Sequence, residues 1–288
     1  MIFMFKNKNR ALAALLCFGL PFIGLSKMSA DSISTRVNSA YVLAQFGIPV
    51  ILPSSGSIAN NGALTLTTAL PITFPNCWMY FPANAISSGS AAGVYFVQMS
   101  SATAGTIFNN VLGVGAPFIP LSPTAFSTTG PGAYTQTTAF NPTLVSIPVP
   151  GGALGANGAL RYKLAWVLPG NTNSTVQQIL LAPGIISAGA NPSSVSGVTI
   201  SQTGVSSENW IGSERTLRNI GSQAAQVSIQ VNTNFQTDAS VNGGGVNAVT
   251  FLTINTAATQ SLLFSAFDGT PTDYQILAGV TIEVIPAN

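Results

Sequence analysis

Leu160-Arg161-Tyr162-Lys163-Leu164-Ala165-Trp166-Val167-Leu168 is the stretch whose reading decides the fold. Leu160, Tyr162, Leu164 and Trp166 recur at every second residue, with Arg161, Lys163 and Ala165 between them. That is the period of a strand with one face buried and one in water. A helix would need its apolar residues three and four apart. The same period returns in Ala225-Gln226-Val227-Ser228-Ile229-Gln230-Val231-Asn232 and in Gly279-Val280-Thr281-Ile282-Glu283-Val284-Ile285. Shorter β-rich runs lie at 176–182, 216–220, 248–255 and 261–266, with turn residues between them. Residues 152–288 therefore read as an antiparallel β-sandwich of the jelly-roll type. The inward set expected is Leu164, Trp166, Val227, Ile229, Val231, Val280, Ile282 and Val284. On that reading, truncating Ile229 to alanine costs about 2–5 kcal/mol.

Working outward toward the N-terminus, residues 113–151 hold Pro117, Pro120, Pro123, Pro131, Pro142, Pro148 and Pro150. Proline removes a ladder donor, so the segment reads as a Pro/Gly-rich connection. Before it, 47–112 reads as a smaller β unit. Its strands are expected around Ile48 to Leu52, Ala63 to Leu70, Cys77 to Phe81, Gly93 to Met99 and Thr106 to Asn109. In 31–46, Ile33, Val37, Ala40, Tyr41 and Ala44 form a stripe at helical spacing. Asp31 or Ser32 stands at its start and Gly47 at its end, which predicts a short N-terminal helix. Residues 1–30 pair a basic run (Lys6, Lys8, Arg10) with an apolar run from Ala11 to Leu25. This is the pattern of a secretory leader, and equally of an upstream stretch read in front of a true start at Met28. No regular internal repeat is visible.

Composition narrows the function. Apolar residues are 47% of the 288 and charged residues only 6%; about 25% charged is usual. The polar positions fall to Ser, Thr, Asn, Gln and Gly. Four of the nine basic residues lie in the first thirty, and the remaining five face seven acids, so the body is slightly acidic. No basic stripe exists to neutralise phosphates, which argues against nucleic acid as a partner. So weakly charged a surface suits a chain that buries much of itself in an assembly.

The chain contains no histidine, which removes the usual general base, metal ligand and physiological pH switch together. Cys17 and Cys77 form no disulfide framework, and Cys77 reads as a small buried hydrophobe. No phosphate-binding loop is present, and no cofactor is implied. Carboxylate pairs alone can hydrolyse glycosides, and the candidates for such a pair are Glu208, Glu214, Asp238, Asp268, Asp273 and Glu283. Glu208-Asn209-Trp210 is the most suggestive group, as a surface or glycan contact. Glu214 reads as a structural ion pair with Arg215 or Arg218. Asp268 to Asp273 reads first as a turn, with calcium the alternative. Trp78 and Trp166 read as core, and Trp210 as the exposed tryptophan. No catalytic or metal residue is assigned.

The motifs of the first β unit carry a resemblance. Gly47-Ile48-Pro49-Val50-Ile51-Leu52-Pro53, Asn60-Asn61-Gly62-Ala63-Leu64, Tyr80-Phe81-Pro82-Ala83-Asn84-Ala85-Ile86 and Gly93-Val94-Tyr95-Phe96-Val97-Gln98-Met99 resemble virion structural proteins of tailed bacteriophages and prophages of Gram-negative bacteria, of the tail-fibre-like or minor structural kind. The closing Glu283-Val284-Ile285-Pro286 is similar to theirs. The resemblance covers roughly 47–112 and, more loosely, 152–288. It implies a non-enzymatic tail fibre, spike or head decoration located on the virion. It further implies a homo-oligomer with a trimer favoured, other virion proteins as partners, and a host surface glycan as the target. The basic-apolar leader departs from that pattern. It supports the alternative, an exported adhesin or carbohydrate-binding module in the periplasm or at the cell surface.

Overall fold

In the computed structural model the described residues are 41–46, 48–59, 61–70, 74–86, 90–111, 132–135, 142–167, 175–205, 210–232, 249–268 and 274–287. Seventeen strands run through them. β1 (Tyr41–Phe46), β2 (Val50–Leu52), β3 (Gly56–Ile58) and β4 (Ala63–Leu66) precede two apolar strands, β5 (Cys77–Phe81) and β6 (Gly93–Met99). β7 (Ala104–Val111), β8 (Gly132–Tyr134) and β9 (Thr143–Val149) follow, then the longer β10 (Ala159–Val167), β11 (Thr175–Pro183), β12 (Val198–Val205) and β13 (Trp210–Asn219). β14 (Gln226–Asn232), β15 (Val249–Leu252), β16 (Gln260–Asp268) and β17 (Gln275–Ile285) close the chain. The only helix among the described residues is one 3-10 turn at Pro192–Ser194.

Thirteen strands make one sheet, in the order β15-β14-β13-β10-β17-β2-β5-β6-β7-β4-β3-β8, with β1 also beside β17. The other four make a second sheet, β12-β11-β16-β9. Pairing is antiparallel except between β2 and β5. β1 and β2 lie end to end along one edge of β17, with Phe46 opposite Val280 and Val50 opposite Leu277.

The expected alternation of β10 and β17 holds. Leu160, Tyr162, Leu164 and Trp166 with Val280, Ile282 and Val284 enter one core. There they meet Ile179 and Leu181 of β11, Leu262 and Phe264 of β16, and Val145, Ile147 and Val149 of β9. Tyr162 and Phe264 stand edge to face, centroids 6.5 Å apart. Full burial of each such side chain contributes about 1.5–3 kcal/mol.

β5 and β6 read Cys-Trp-Met-Tyr-Phe and Gly-Val-Tyr-Phe-Val-Gln-Met, with no apolar–polar alternation. The reason is burial on both faces. Trp78, Tyr80, Val94 and Phe96 point into the core between the sheets. Cys77, Met79, Phe81, Tyr95, Val97 and Met99 point into a second core. That second core is closed by Ile58, Leu64, Leu66 and Tyr134, so the far end of the large sheet turns back over β5 and β6. Tyr134 donates its hydroxyl hydrogen to the Ser54 carbonyl (3.0 Å) and meets Phe81 edge-on at 5.5 Å.

Four expectations need correction. Residues 31–40 lie outside the described residues, but 41–46 of the expected helix form β1 instead. Tyr41, Val42 and Phe46 favour strand, and β17 offers an edge from Val280 to Val284 for them to pair with. The connection at 113–151 contains β8 and β9, and β9 is a core strand with Leu144, Val145, Ile147 and Val149 buried. Its Pro148 is tolerated because β9 is an edge strand. The smaller β unit and the sandwich are not separate either, because the β17–β2 pairing carries one sheet through both. Finally, the face of β14 is inverted. Ile229 is 39% exposed, while Gln226 and Ser228 are buried. Register forces this: Ser228 lies opposite inward Leu217, and Val227 opposite exposed Arg218. Val227 is covered but belongs to neither core. The Val231 side chain lies outside those described.

Candidate functional site

The outer face of the large sheet, away from the small one, carries Arg161, Lys163, Glu214, Arg218 and Glu283, most of the described charge. Alternation that sends Leu160, Tyr162 and Leu164 inward sends Arg161 and Lys163 outward. Their neighbours across the ladder are Thr216 and Glu283 for Arg161, and Glu214 and Thr281 for Lys163. Arg161 donates from Nε to Glu283 Oε2 at 2.6 Å, and its second nitrogen contacts the same oxygen. Lys163 Nζ stands 3.7 Å from Glu214 Oε2. Half-exposed pairs of this kind contribute about 0.2–1 kcal/mol each. Glu214 thus pairs across strands with Lys163, not with Arg215 or Arg218 as its neighbours in sequence suggest.

One row further along, Gly212, Ala165 and Gly279 lie side by side on three adjacent strands. Over Ala165 and Gly279, which carry no long side chain, the face dips into an open depression of about 430 Å³. Gln45, Lys163, Ala165, Gly279 and Thr281 contribute to its lining. The next row pairs Val167 with Trp210. Trp210 opens β13 opposite Val167, and its side chain lies outside those described. Glu208 and Asn209, the other two sequence-derived contact residues, lie outside the described residues. So do Asp238, Asp273 and the Gly243-Gly244-Gly245 turn, while Asp268 ends β16.

In the other direction the same face loses its charge. Past Arg218 on β13 come Val227 and Ile229 on β14, then Val249 and Phe251 on β15, paired Ile229 to Val249 and Val227 to Phe251. Val249 is 47% and Phe251 74% exposed. This strip was missed in the sequence, where Val227 and Ile229 read as core.

The inner face of β13 and β14 is polar in return. Arg215 is buried, lies opposite Tyr162 and donates from Nη1 to Ser228 Oγ (3.1 Å). Burial lowers its guanidinium pKa, and the neighbouring Tyr162 phenol opposes that shift. Gln226 behaves like one more residue of the ladder. Its Oε1 accepts from the Ile254 N–H (2.7 Å), and its Nε2 donates to the Ile254 carbonyl (3.0 Å) and to Asn219 Oδ1 (3.0 Å). Asn219 in turn donates to Gly155 and Thr256.

Similarity to known proteins is slight. No protein-family model matches the chain, and no curated protein does. Among solved structures, the CBM2 module of Lactobacillus casei BL23 phage J-1 evolved Dit is similar at a TM-score of 0.27 and 8% identity, over 54% of this chain and 77% of that one. Arcelin-5, a lectin-like defence protein from Phaseolus vulgaris, is similar at 0.30 and 8% identity, over 85% and 97%. A Lotus tetragonolobus seed lectin is similar at 0.29 and 10% identity, over 84% and 95%. No residue role is carried across at these scores.

Chemistry for a reaction is sparse in what is described. Among the described residues no three His, Cys, Asp or Glu side chains gather around a metal-sized space. Glu214 and Glu283 are each engaged by a cation. The Cys77 thiol donates to the Val97 carbonyl at 3.7 Å, and burial pushes its pKa up to about 12, which leaves it protonated and inert. Trp78 and Trp166 are core, as expected.

Proposed function

We propose that the chain is a non-enzymatic structural protein of a bacteriophage or prophage particle, a fibre, spike or head decoration that works as a homo-oligomer. The observation that carries this reading is the uncharged outer strip ending in Phe251, apolar surface that association would cover. The resemblance of the first β unit to virion proteins supplies the particle. Few ion pairs hold such an assembly, so screening should weaken it little. Mass spectrometry of purified particles after prophage induction should find peptides of this chain. Its absence there, with enrichment in the periplasm or at the cell surface, refutes the virion reading. Light scattering of the purified chain should show an oligomer that persists in near-molar salt.

The open depression on the outer face favours a second reading, an exported carbohydrate-binding module. In that reading Trp210, Glu208 and Asn209 contact a surface glycan. Glycan-array binding lost on Trp210→Ala, with the fold intact by circular dichroism, supports it. Equal binding by the variant rejects that site.

A further inference from the structure

Three Asn-Gly pairs stand in the sequence, Asn61-Gly62, Asn157-Gly158 and Asn242-Gly243, the last outside the described residues. An asparagine carboxamide is open to attack by the backbone nitrogen that follows it, which closes a five-membered imide. A following glycine, without a Cβ, leaves that nitrogen unhindered. Asn61 and Asn157 are both exposed and both precede a buried glycine, yet the fold holds their carboxamides in opposite ways. Asn61 tips the turn between β3 and β4. The Ala59 N–H donates to the Ala63 carbonyl (2.8 Å), and the Gly62 N–H to the Ala59 carbonyl (2.9 Å). Asn61 Oδ1 accepts from the Ala63 N–H at 3.1 Å. A carboxamide whose oxygen reaches the nitrogen two residues on is folded over the intervening peptide, the one that holds the Gly62 nitrogen. The Ala63 N–H also stands at the oxygen on which charge gathers when that nitrogen attacks. What must open is the Gly62–Ala59 bond, at a turn tip, where opening costs least.

Asn157 is held away from its own glycine. Its Oδ1 accepts from the Gly221 N–H (2.9 Å), on the turn between β13 and β14. The Gly158 carbonyl accepts from the Asn219 N–H (2.9 Å). A Cβ on Gly158 would stand 2.0 Å from the Leu154 oxygen, 2.6 Å from the Ile285 oxygen and 2.9 Å from the Ala287 nitrogen. Imide closure there must release Gly221 and turn a peptide packed on three sides by backbone.

We propose that Asn61 is a self-modifying position. The Gly62 nitrogen, deprotonated by solvent hydroxide, bonds to Asn61 Cγ. The Cγ–Nδ2 bond breaks, and the nitrogen leaves as ammonia with a proton from water. Water then opens the imide, at the backbone carbonyl to give isoaspartate or at the side-chain carbonyl to give aspartate. One water is consumed and one ammonia released, nothing is oxidised or reduced, and a neutral amide becomes a carboxylate. In isoaspartate the main chain gains a methylene at the turn. That turn sets Ile58 opposite Leu64, both buried in the second core, and its Gly62 carbonyl accepts from the Ile107 N–H (2.9 Å). The reaction therefore loosens this end of the large sheet, whatever the chain binds.

Storage of the folded full chain in mildly alkaline buffer tests this, followed by peptide mapping with fragmentation that separates isoaspartate from aspartate. Asn61 should convert about tenfold faster than Asn157, the difference that one net hydrogen bond makes. In urea, with the turns gone, the two should convert at similar rates. Conversion of Asn157 as fast as Asn61 in the folded chain overturns the assignment. So does an Asn61 left intact while the urea sample reacts. Aspartate without isoaspartate means direct hydrolysis and overturns the ring closure. The Ile107 amide should exchange faster in the converted protein, and unchanged exchange overturns the loosening of the turn.

Discussion

Ile229 and Phe264 are both apolar and both sit in strands, yet the fold uses them oppositely. Phe264 is fully buried between the sheets, and Ile229 is 39% exposed on the outer face. Phe264→Ala should cost about 3–5 kcal/mol, because it leaves a cavity in a packed core. Ile229→Ala should stay within about 1 kcal/mol, since it removes surface contacts only. Urea unfolding of the two variants checks this, and a large loss at Ile229 would turn β14 back over. The contrast also says what was legible in the sequence. Alternation fixes which residues share a face, not which face is covered. Where long apolar side chains alternate with charge, as in β10, the choice is plain. In β14 the alternatives are Val, Ile, Gln and Ser, none of them charged, and only the pairing to Leu217 and Arg218 decides.

At the scale of elements, the inward glutamine of β14 closes one end of the sandwich. The Gln226 amide exchanges two hydrogen bonds with the Ile254 backbone and reaches Asn219, which ties the turn after β15 to the turn before β10. Gln226→Ala should leave the Ile254 N–H and the Asn219 oxygen without that partner, at about 1–3 kcal/mol for each buried group. Exchange of the Ile254 amide should accelerate with it. Gln45→Ala, at an exposed glutamine, is the control and should change neither. A stable variant with slow Ile254 exchange would mean that other groups hold the turn. This network was not legible, because its partners are backbone carbonyls brought together from distant turns. β1 and β9 were misread for related reasons. The stripe in 31–46 leans on Ala40 and Ala44, which fit either period. The prolines around β9 mark an edge as readily as a loop. The outer-face depression was equally invisible, since Ala165 and Gly279 meet only through strand pairing.

At the scale of the molecule, β5 and β6 are a wall with a core on either side, and neutral titratable groups are packed against it. Cys77 and Tyr80 belong to the wall, and Tyr274 packs against the second core. Burial raises Cys77 from 9.0 to about 12, and Tyr80 and Tyr274 from 10.0 to about 12. Each group is neutral when folded, and its folded pKa lies above its unfolded one. The stability they contribute is therefore fully present below about pH 8, where neither state ionises. It is lost as pH rises toward about 12, because the unfolded chain gives up its protons first. In that window each group steepens the loss by about 1.4 kcal/mol per pH unit. Tyr80 isolates one share of the effect. Its hydroxyl has no hydrogen-bond partner among the described residues, so Tyr80→Phe leaves nothing newly unpaired there and should hold or raise stability at neutral pH. Above about pH 10 the variant should lose stability less steeply than the wild type. Urea midpoints measured for both proteins at stepped alkaline pH read this directly. Two curves that fall in parallel would show that the Tyr80 hydroxyl is no more costly to ionise in the wall than in the unfolded chain.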